Sequence, residues 1–287
     1  MRRRVLASLK VFFFLAIDFL AIEALFQDPY IALIATSVIS AYVIWGGYIA
    51  ILTDAAVSSK DLPSYQKNRL EMAKAQLVED VRAECGSNLA GLKLYIVPGD
   101  RTLNATAYGG NCVSVTRGTL ENSDPMTLNA VLAHEISHTL NFDPECSRAV
   151  FCTVTLLLAT LSVMSFVSVA VVFIIFLVLG FLSSYFGFWA YHGTTKVVTG
   201  MFSIIQHVVV FAYKTLCGIA NRHAEFRSDA YAVTLGYGPQ LSYFLTMAEP
   251  TSQRQLTLTE AMYRSHPPTP KRLAYIERLL LTQEKGA

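Results

Sequence analysis

The sequence predicts a mainly α-helical integral membrane protein, with about four transmembrane helices and a cytosolic α+β domain that contains a small sheet. Three observations predict it. Hydrophobic residues make up 53% of the 287 and charged residues only 15%, against about 25% charged in ordinary soluble domains. The apolar residues fall in blocks long enough to cross a bilayer. Between the blocks lie polar segments with helical periodicity and short strand-like runs. Together these features exclude a disordered, collagenous or purely soluble chain. A net charge of +2 offers no concentrated basic face for nucleic acid. Five cysteines, an odd number without C-x-x-C spacing, suggest neither a disulfide framework nor a cysteine metal site.

Residues 11–26 and 31–52 are apolar and are separated by Gln27-Asp28-Pro29-Tyr30. The second is long enough to span, and the first reaches that length if Leu6 to Lys10 extend it. A cleaved signal peptide would end in small residues, whereas Asp18, Glu23 and a second apolar stretch follow here, so a retained hairpin is expected. Asp18 and Glu23 should then face other helices rather than lipid. From Ala149 to Thr195 there are 47 residues without Asp, Glu, Lys or Arg. A straight helix of that length would run about 70 Å, more than twice the hydrocarbon thickness. It should therefore break or project beyond the bilayer, near Gly180 or Gly187. A further apolar stretch runs from Val197 to Cys217.

Basic residues concentrate at Arg2–Arg4, Lys10 and the segments 53–148 and 218–287, which places both polar segments in the cytosol. The expected organisation is a membrane hairpin over 1–52, a first cytosolic part over 53–148, a second hairpin over 149–217 and a second cytosolic part over 218–287. In the cytosolic parts, Ser64–Cys85 has Leu70, Ala73, Leu77 and Val81 on one helical face. Leu92–Val97 and Cys112–Thr116 read as short strands beside turn-forming Pro98-Gly99-Asp100 and Gly109-Gly110-Asn111. Asp124 can cap a helix that starts at Pro125 and runs to about Asn141. Further helices are expected over about 222–236 and from Thr269-Pro270 onward, the last turning Leu273, Ile276, Leu279 and Leu280 inward.

The helix from Pro125 contains His134-Glu135-Ile136-Ser137-His138. Two histidines four apart lie one turn apart on one face, so both rings can reach one ion, and Glu135 can hold a water and take its proton. This is the H-E-x-x-H arrangement of zinc hydrolases. The longer version of that motif needs a Gly and a third His, but Asn141 and Pro144 occupy those positions. An Asp-Gly motif, the third-ligand source in another class, is absent. A Glu on a second helix is the remaining common solution, and Glu225 and Asp229, four apart, offer it. One carboxylate can bind metal while the other accepts the N–H of a ligand histidine. His138 and Glu225 are 87 residues apart. They can share one Zn²⁺ only if the chain crosses the membrane an even number of times between them.

These stretches resemble the membrane zinc metallopeptidases that include HtpX and the CAAX prenyl proteases, most of all the bacterial HtpX-like members. The likeness rests on Asn104–Ala107 with Val113–Leu120, on Ala133–His138, on Glu225–Ala230, and on Ser265-His266-Pro267-Pro268 with Lys271-Arg272, in family order over about 92–280. Two departures are Thr106, where an aromatic is usual, and Arg227-Ser228, where His-Ala is frequent. The resemblance implies a zincin-like catalytic domain, one zinc ion, and a site on the cytoplasmic side of the inner membrane. It also implies proteolysis of membrane or misfolded polypeptides in quality control. In this reading His134, His138 and Glu225 hold zinc, Glu135 is the general base and Asp229 orients a ligand.

The resemblance further implies that Asn104, Ala105 and Ala107 lie on a substrate-binding strand edge, where Asn104 either bonds the peptide or stabilises a turn. His266 either donates to the tetrahedral oxyanion or braces the last helix, and His223 is a lesser candidate for the first task. Arg272 is expected to pair with a carboxylate. His192 and His207 are expected to be satisfied membrane histidines. Two other functions stay open: a CAAX-type prenyl-peptide protease, whose relatives have more spans, and a non-catalytic zinc-binding scaffold or carrier.

Overall fold

Asp28 sets the first reversal of the chain. Its carboxylate accepts from the backbone N–H groups of Tyr30 and Ile31 at 2.8 and 3.2 Å, and Pro29 occupies the first helical position. This cap separates α1 (Arg2–Phe26) from α2 (Pro29–Thr53), which pack against each other. The computed structural model describes residues 2–86, 89, 91–180, 184–248 and 267–286. Asp18 is fully buried, together with Ile22 one turn on, as a carboxylate inside an apolar hairpin requires.

Three helices among the described residues are long and apolar enough to cross a membrane: Pro29–Thr53, Asp143–Leu179 and Trp189–Thr234. The stretch 8–26 of α1, interrupted by Lys10, Asp18 and Glu23, is not among them.

The chain divides into two compact units. One comprises Met1–Ala149 with Gly218–Ala287, the other Val150–Cys217. Within the second, the α-helices α6 (Asp143–Gly180) and α7 (Ser184–Thr234) meet through a Gln206 to Ser162 hydrogen bond of 2.9 Å and an edge contact of Phe173 with Tyr191. Helix α6 is described to Gly180 and α7 from Ser184, so Gly187, the other glycine where a break is expected, lies within α7. His207 bonds the Ser203 carbonyl at 2.7 Å, a locally satisfied histidine.

In the first unit a four-stranded sheet runs in the order β1-β2-β4-β3, from β1 (Val57–Ser58), β2 (Lys93–Val97), β3 (Ala105–Gly109) and β4 (Cys112–Thr116). Only β2 and β4 are parallel. Helix α3 (Ser64–Cys85) lays Leu70, Ala73, Leu77 and Val81 into the core, the four residues its periodicity selects. They meet Leu94 and Ile96 of β2 and Val113 and Val115 of β4. Among the described residues the further α-helices of this unit include α4 (Arg117–Asn122), α5 (Pro125–Leu140), α8 (Gly238–Ala248) and α9 (Thr269–Gly286).

Helix α5 is the centre of the unit. Asp124 caps it by accepting from the N–H groups of Met126 and Thr127 and from the Thr127 hydroxyl. That hydroxyl, with the backbone donors, holds the Asp124 carboxyl below its usual range. Leu128, Leu132 and Ile136 are at most 1% exposed. Truncating one such residue to alanine costs about 2–5 kcal/mol, so the helix is fixed in place. The helix expected over 222–236 is the last part of α7, which ends at Thr234 and begins at Ser184. Apolar periodicity alone cannot mark a boundary inside one continuous helix.

The start of α6 pins the β3–β4 turn onto α2. Arg148 donates to the Val43 carbonyl of α2 (2.9 Å) and the Tyr108 carbonyl of β3 (3.0 Å), while Glu145 accepts from the Gly110 N–H at 2.8 Å. Gly47 permits the approach, since a Cβ there would lie 2.4 Å from the Tyr108 oxygen. Gly109, at φ +86°, would collide with the Glu145 carboxylate if it carried one.

Candidate metal centre

His134 and His138 project from one face of α5, and their Nε2 atoms stand 3.3 Å apart. Glu225 of α7 completes a triangle, with Oε2 3.3 Å from His134 Nε2 and Oε1 3.6 Å from His138 Nε2. These donors are within 4.8 Å of one another and could hold a metal ion. His134 and Glu225 are 5% and 4% exposed.

The outer nitrogens decide what this triangle can do. His134 Nδ1 lies 3.0 Å from Asp229 Oδ1, and His138 Nδ1 lies 2.8 Å from Asp143 Oδ2. A carboxylate can only accept, so each Nδ1 carries a proton, and a ring without a second proton turns a bare Nε2 lone pair inward. With no second proton on the rings, two lone pairs and a carboxylate converge here, an arrangement that a cation completes. Burial pulls the His134 pKa down, but the hydrogen bonds with Asp229 and Glu225 outweigh it and hold it up at about 10. The pocket therefore takes up positive charge, as a proton or as a metal ion.

The spacing also fits a metal. Tetrahedral bonds of 2.0–2.1 Å give ligand–ligand edges of about 3.3 Å, close to the three distances here. Two imidazoles and a carboxylate suit a borderline divalent ion.

Arg272 of α9 balances the negative charge. Its Nε and Nη2 form a bidentate pair with Asp229 at 2.9 and 2.5 Å, and Nη1 reaches Glu225 Oε2 at 3.1 Å. Despite burial, these carboxylates raise the Arg272 pKa, so it stays charged. The expected carboxylate partner of Arg272 is thus Asp229. Glu135, half-buried, follows His134 on α5 and acts electrostatically on Arg272. His223 is exposed and, two residues from Glu225, points away from the donor triangle.

Asp143 and its partner Arg227 were not singled out as site residues from the sequence. Arg227 Nη2 bonds Asp143 Oδ1 at 2.7 Å, so the departure from the family pattern at 227 supplies the cation that steadies His138's partner. Asp143 opens a new helix after the left-handed Phe142 (φ 57°), and spacing from His138 carries no helical signal across that turn. Asp143→Ala should weaken metal affinity about 10–100-fold. Competition titration against a chromogenic chelator measures the loss.

Ala105 and Ala107 lie on β3, an edge strand of the sheet that packs beside α5. Asn104 Oδ1 accepts from the Ala105 N–H at 2.9 Å, and the Asn104 carbonyl takes the Thr116 N–H at 3.0 Å. In the structure its side chain therefore stabilises the entry to β3. His266 falls outside the described residues.

A donor triangle on a buried helix, closed by a carboxylate from beyond a membrane-spanning segment, defines a membrane protein built around a metal-ligating centre. The model of peptidase family M48 matches residues 68–280, and the chain belongs to that family of metallopeptidases. Among curated proteins it is similar to Protease HtpX of Aeromonas hydrophila, 26% identical over 238 residues that cover 72% of this chain and 73% of the relative. It is also similar to the Protease HtpX homolog of Lactobacillus acidophilus, 26% identical over 221 residues, covering 65% and 67%. The crystal structure of S. mikatae Ste24p shares the fold at TM-score 0.54 and 18% identity. That match covers 94% of this chain but only 62% of the Ste24p chain, so the present chain spans about three-fifths of its length.

Proposed function

We propose that the protein is a zinc endopeptidase of the inner membrane that hydrolyses membrane or misfolded polypeptides on the cytoplasmic side, in quality control. The observation that carries this reading is the convergence of two imidazole Nε2 atoms and a carboxylate beside Glu135. His134, His138 and Glu225 hold the ion, in the H-E-x-x-H plus Glu pattern. A divalent ion held there would supply the Lewis acidity that polarises a scissile carbonyl and acidifies a water. Glu135 accepts the water's proton and returns it to the leaving amine. Asp229 and Asp143 fix the ring orientations. The free edge of β3, at Ala105 and Ala107, takes an extended substrate as an added strand through backbone hydrogen bonds, and Asn104 shapes its start. His266, just before Pro267, donates to the developing oxyanion. The four-segment organisation makes the cytosolic domain from 53–148 and 218–287, carried on two membrane hairpins.

The test uses the full chain reconstituted in phospholipid bilayers with an unfolded membrane protein as substrate. Cleavage should occur, stop on chelation, and return with added zinc. A farnesylated C-terminal peptide should gain no advantage over the same peptide without the lipid. Cleavage of the farnesylated peptide alone would assign a prenyl-peptide protease, and no cleavage by metal-loaded protein would leave a scaffold or carrier.

A further inference from the structure

A second built feature lies on the opposite side of α7 from the donor triangle. His223, Phe226 and Arg227 of α7 face Lys271, Tyr275 and Arg278 of α9 across a cavity of about 650 Å³, with two alanines completing its lining. Each set follows the i, i+3, i+4, i+7 stripe of one helix face. Among the described residues no acidic side chain lines the cavity. Its aromatic floor is an edge-to-face pair, Phe226 and Tyr275, with ring centroids 5.0 Å apart, and the Arg278 guanidinium lies over the Tyr275 ring at 5.3 Å.

Two observations make this more than a solvated basic face. Arg227 spends one end on Asp143, while its buried Nε–H has no acceptor among the described residues. A buried donor left in this state is costly unless a ligand or water completes it. Lys271 and Arg278 remain exposed at the rim and carry charge that nothing in the lining neutralises.

The sequence selects the kind of anion. His223 lies six positions beyond Cys217, the end of the last apolar stretch, on the same continuous helix. Six residues of helix rise about 9 Å, which keeps the groove near the end of that apolar stretch. Basic pockets beside membrane helices on the cytoplasmic side bind anionic lipid headgroups. An aromatic floor suits the glycerol and upper acyl carbons, which an acidic peptide would not supply. We propose that the groove between α7 and α9 binds the phosphate headgroup of an anionic phospholipid. This site rests on the membrane placement proposed above but not on hydrolysis, and its test involves no cleavage.

The full-length protein in detergent is mixed with equal amounts of phosphatidylglycerol and phosphatidylcholine, and retained lipid is counted by native mass spectrometry. The wild type should retain phosphatidylglycerol over phosphatidylcholine by roughly tenfold or more. Lys271→Gln with Arg278→Gln should bring the ratio close to one, and the charge-conserving Arg278→Lys should keep it high. An unchanged preference in the double variant, or none in the wild type, would overturn the proposal. So would loss in Arg278→Lys, which would assign retention to packing rather than charge. Millimolar inorganic phosphate should leave the lipid in place. Its displacement by free phosphate or by hexaglutamate would assign the groove to those ligands instead.

Discussion

Glu135→Gln should lower the turnover number about 10²–10⁴-fold while the protein still binds one metal ion per chain. The substitution keeps the volume and the helix, and it removes only the carboxylate that can take a proton. Glu135 is not one of the clustered metal donors, which are His134, His138 and Glu225, so the ion has no reason to leave. Glu135 sits one residue beyond His134 on a helix anchored by buried leucines and is half-buried rather than sealed. Its carboxylate is therefore held at the site while remaining open to water. Single-turnover cleavage and metal content, measured on one preparation, separate the two effects. Equal rates for the variant and the wild type would remove Glu135 from the mechanism.

The second large effect is on stability. Asp229 is fully buried, bonds His134 and forms the bidentate pair with Arg272. Asp229→Ala leaves a guanidinium buried with half its partners gone, which costs about 3–5 kcal/mol. The same change frees the His134 ring and should weaken metal affinity about 10–100-fold. A double variant tells the two losses apart. Asp229→Ala with Arg272→Met removes the orphaned charge and should recover most of the thermal stability, but not the metal affinity. If the double variant is no more stable than Asp229→Ala alone, the ion pair is not what the single change damages.

Much of the fold was legible because its signals are local. The Asp124 cap, followed by proline, marks a helix start that the structure reproduces, and the Gln27–Tyr30 separator falls where α1 gives way to α2. The stripe Leu70, Ala73, Leu77 and Val81 names the buried face of α3, and alternation with flanking turn residues locates β2 and β4. The two histidines were legible for the same reason, since i, i+4 spacing survives on any helix, whereas Glu225, on another helix, was reached only by eliminating other third-ligand sources and by the family resemblance.

What escaped depends on contacts between elements. Asp143 and Arg227 come from different helices and meet only in the folded chain. So do Arg148, Val43 and Tyr108, whose junction is announced only by the Gly46-Gly47 pair in α2. The boundary of α7 was missed because a helix that passes from an apolar to a polar stretch without a cap gives no local stop signal.

Metal stoichiometry of the purified chain tests the account most directly, with wild type, His134→Ala and Glu225→Ala compared side by side. The convergence of three donors from α5 and α7 predicts about one zinc per chain in the wild type and little or none in either variant. If Glu225→Ala retained a full complement of metal at unchanged affinity, the carboxylate of α7 would not be a ligand and the proposed centre would be wrong.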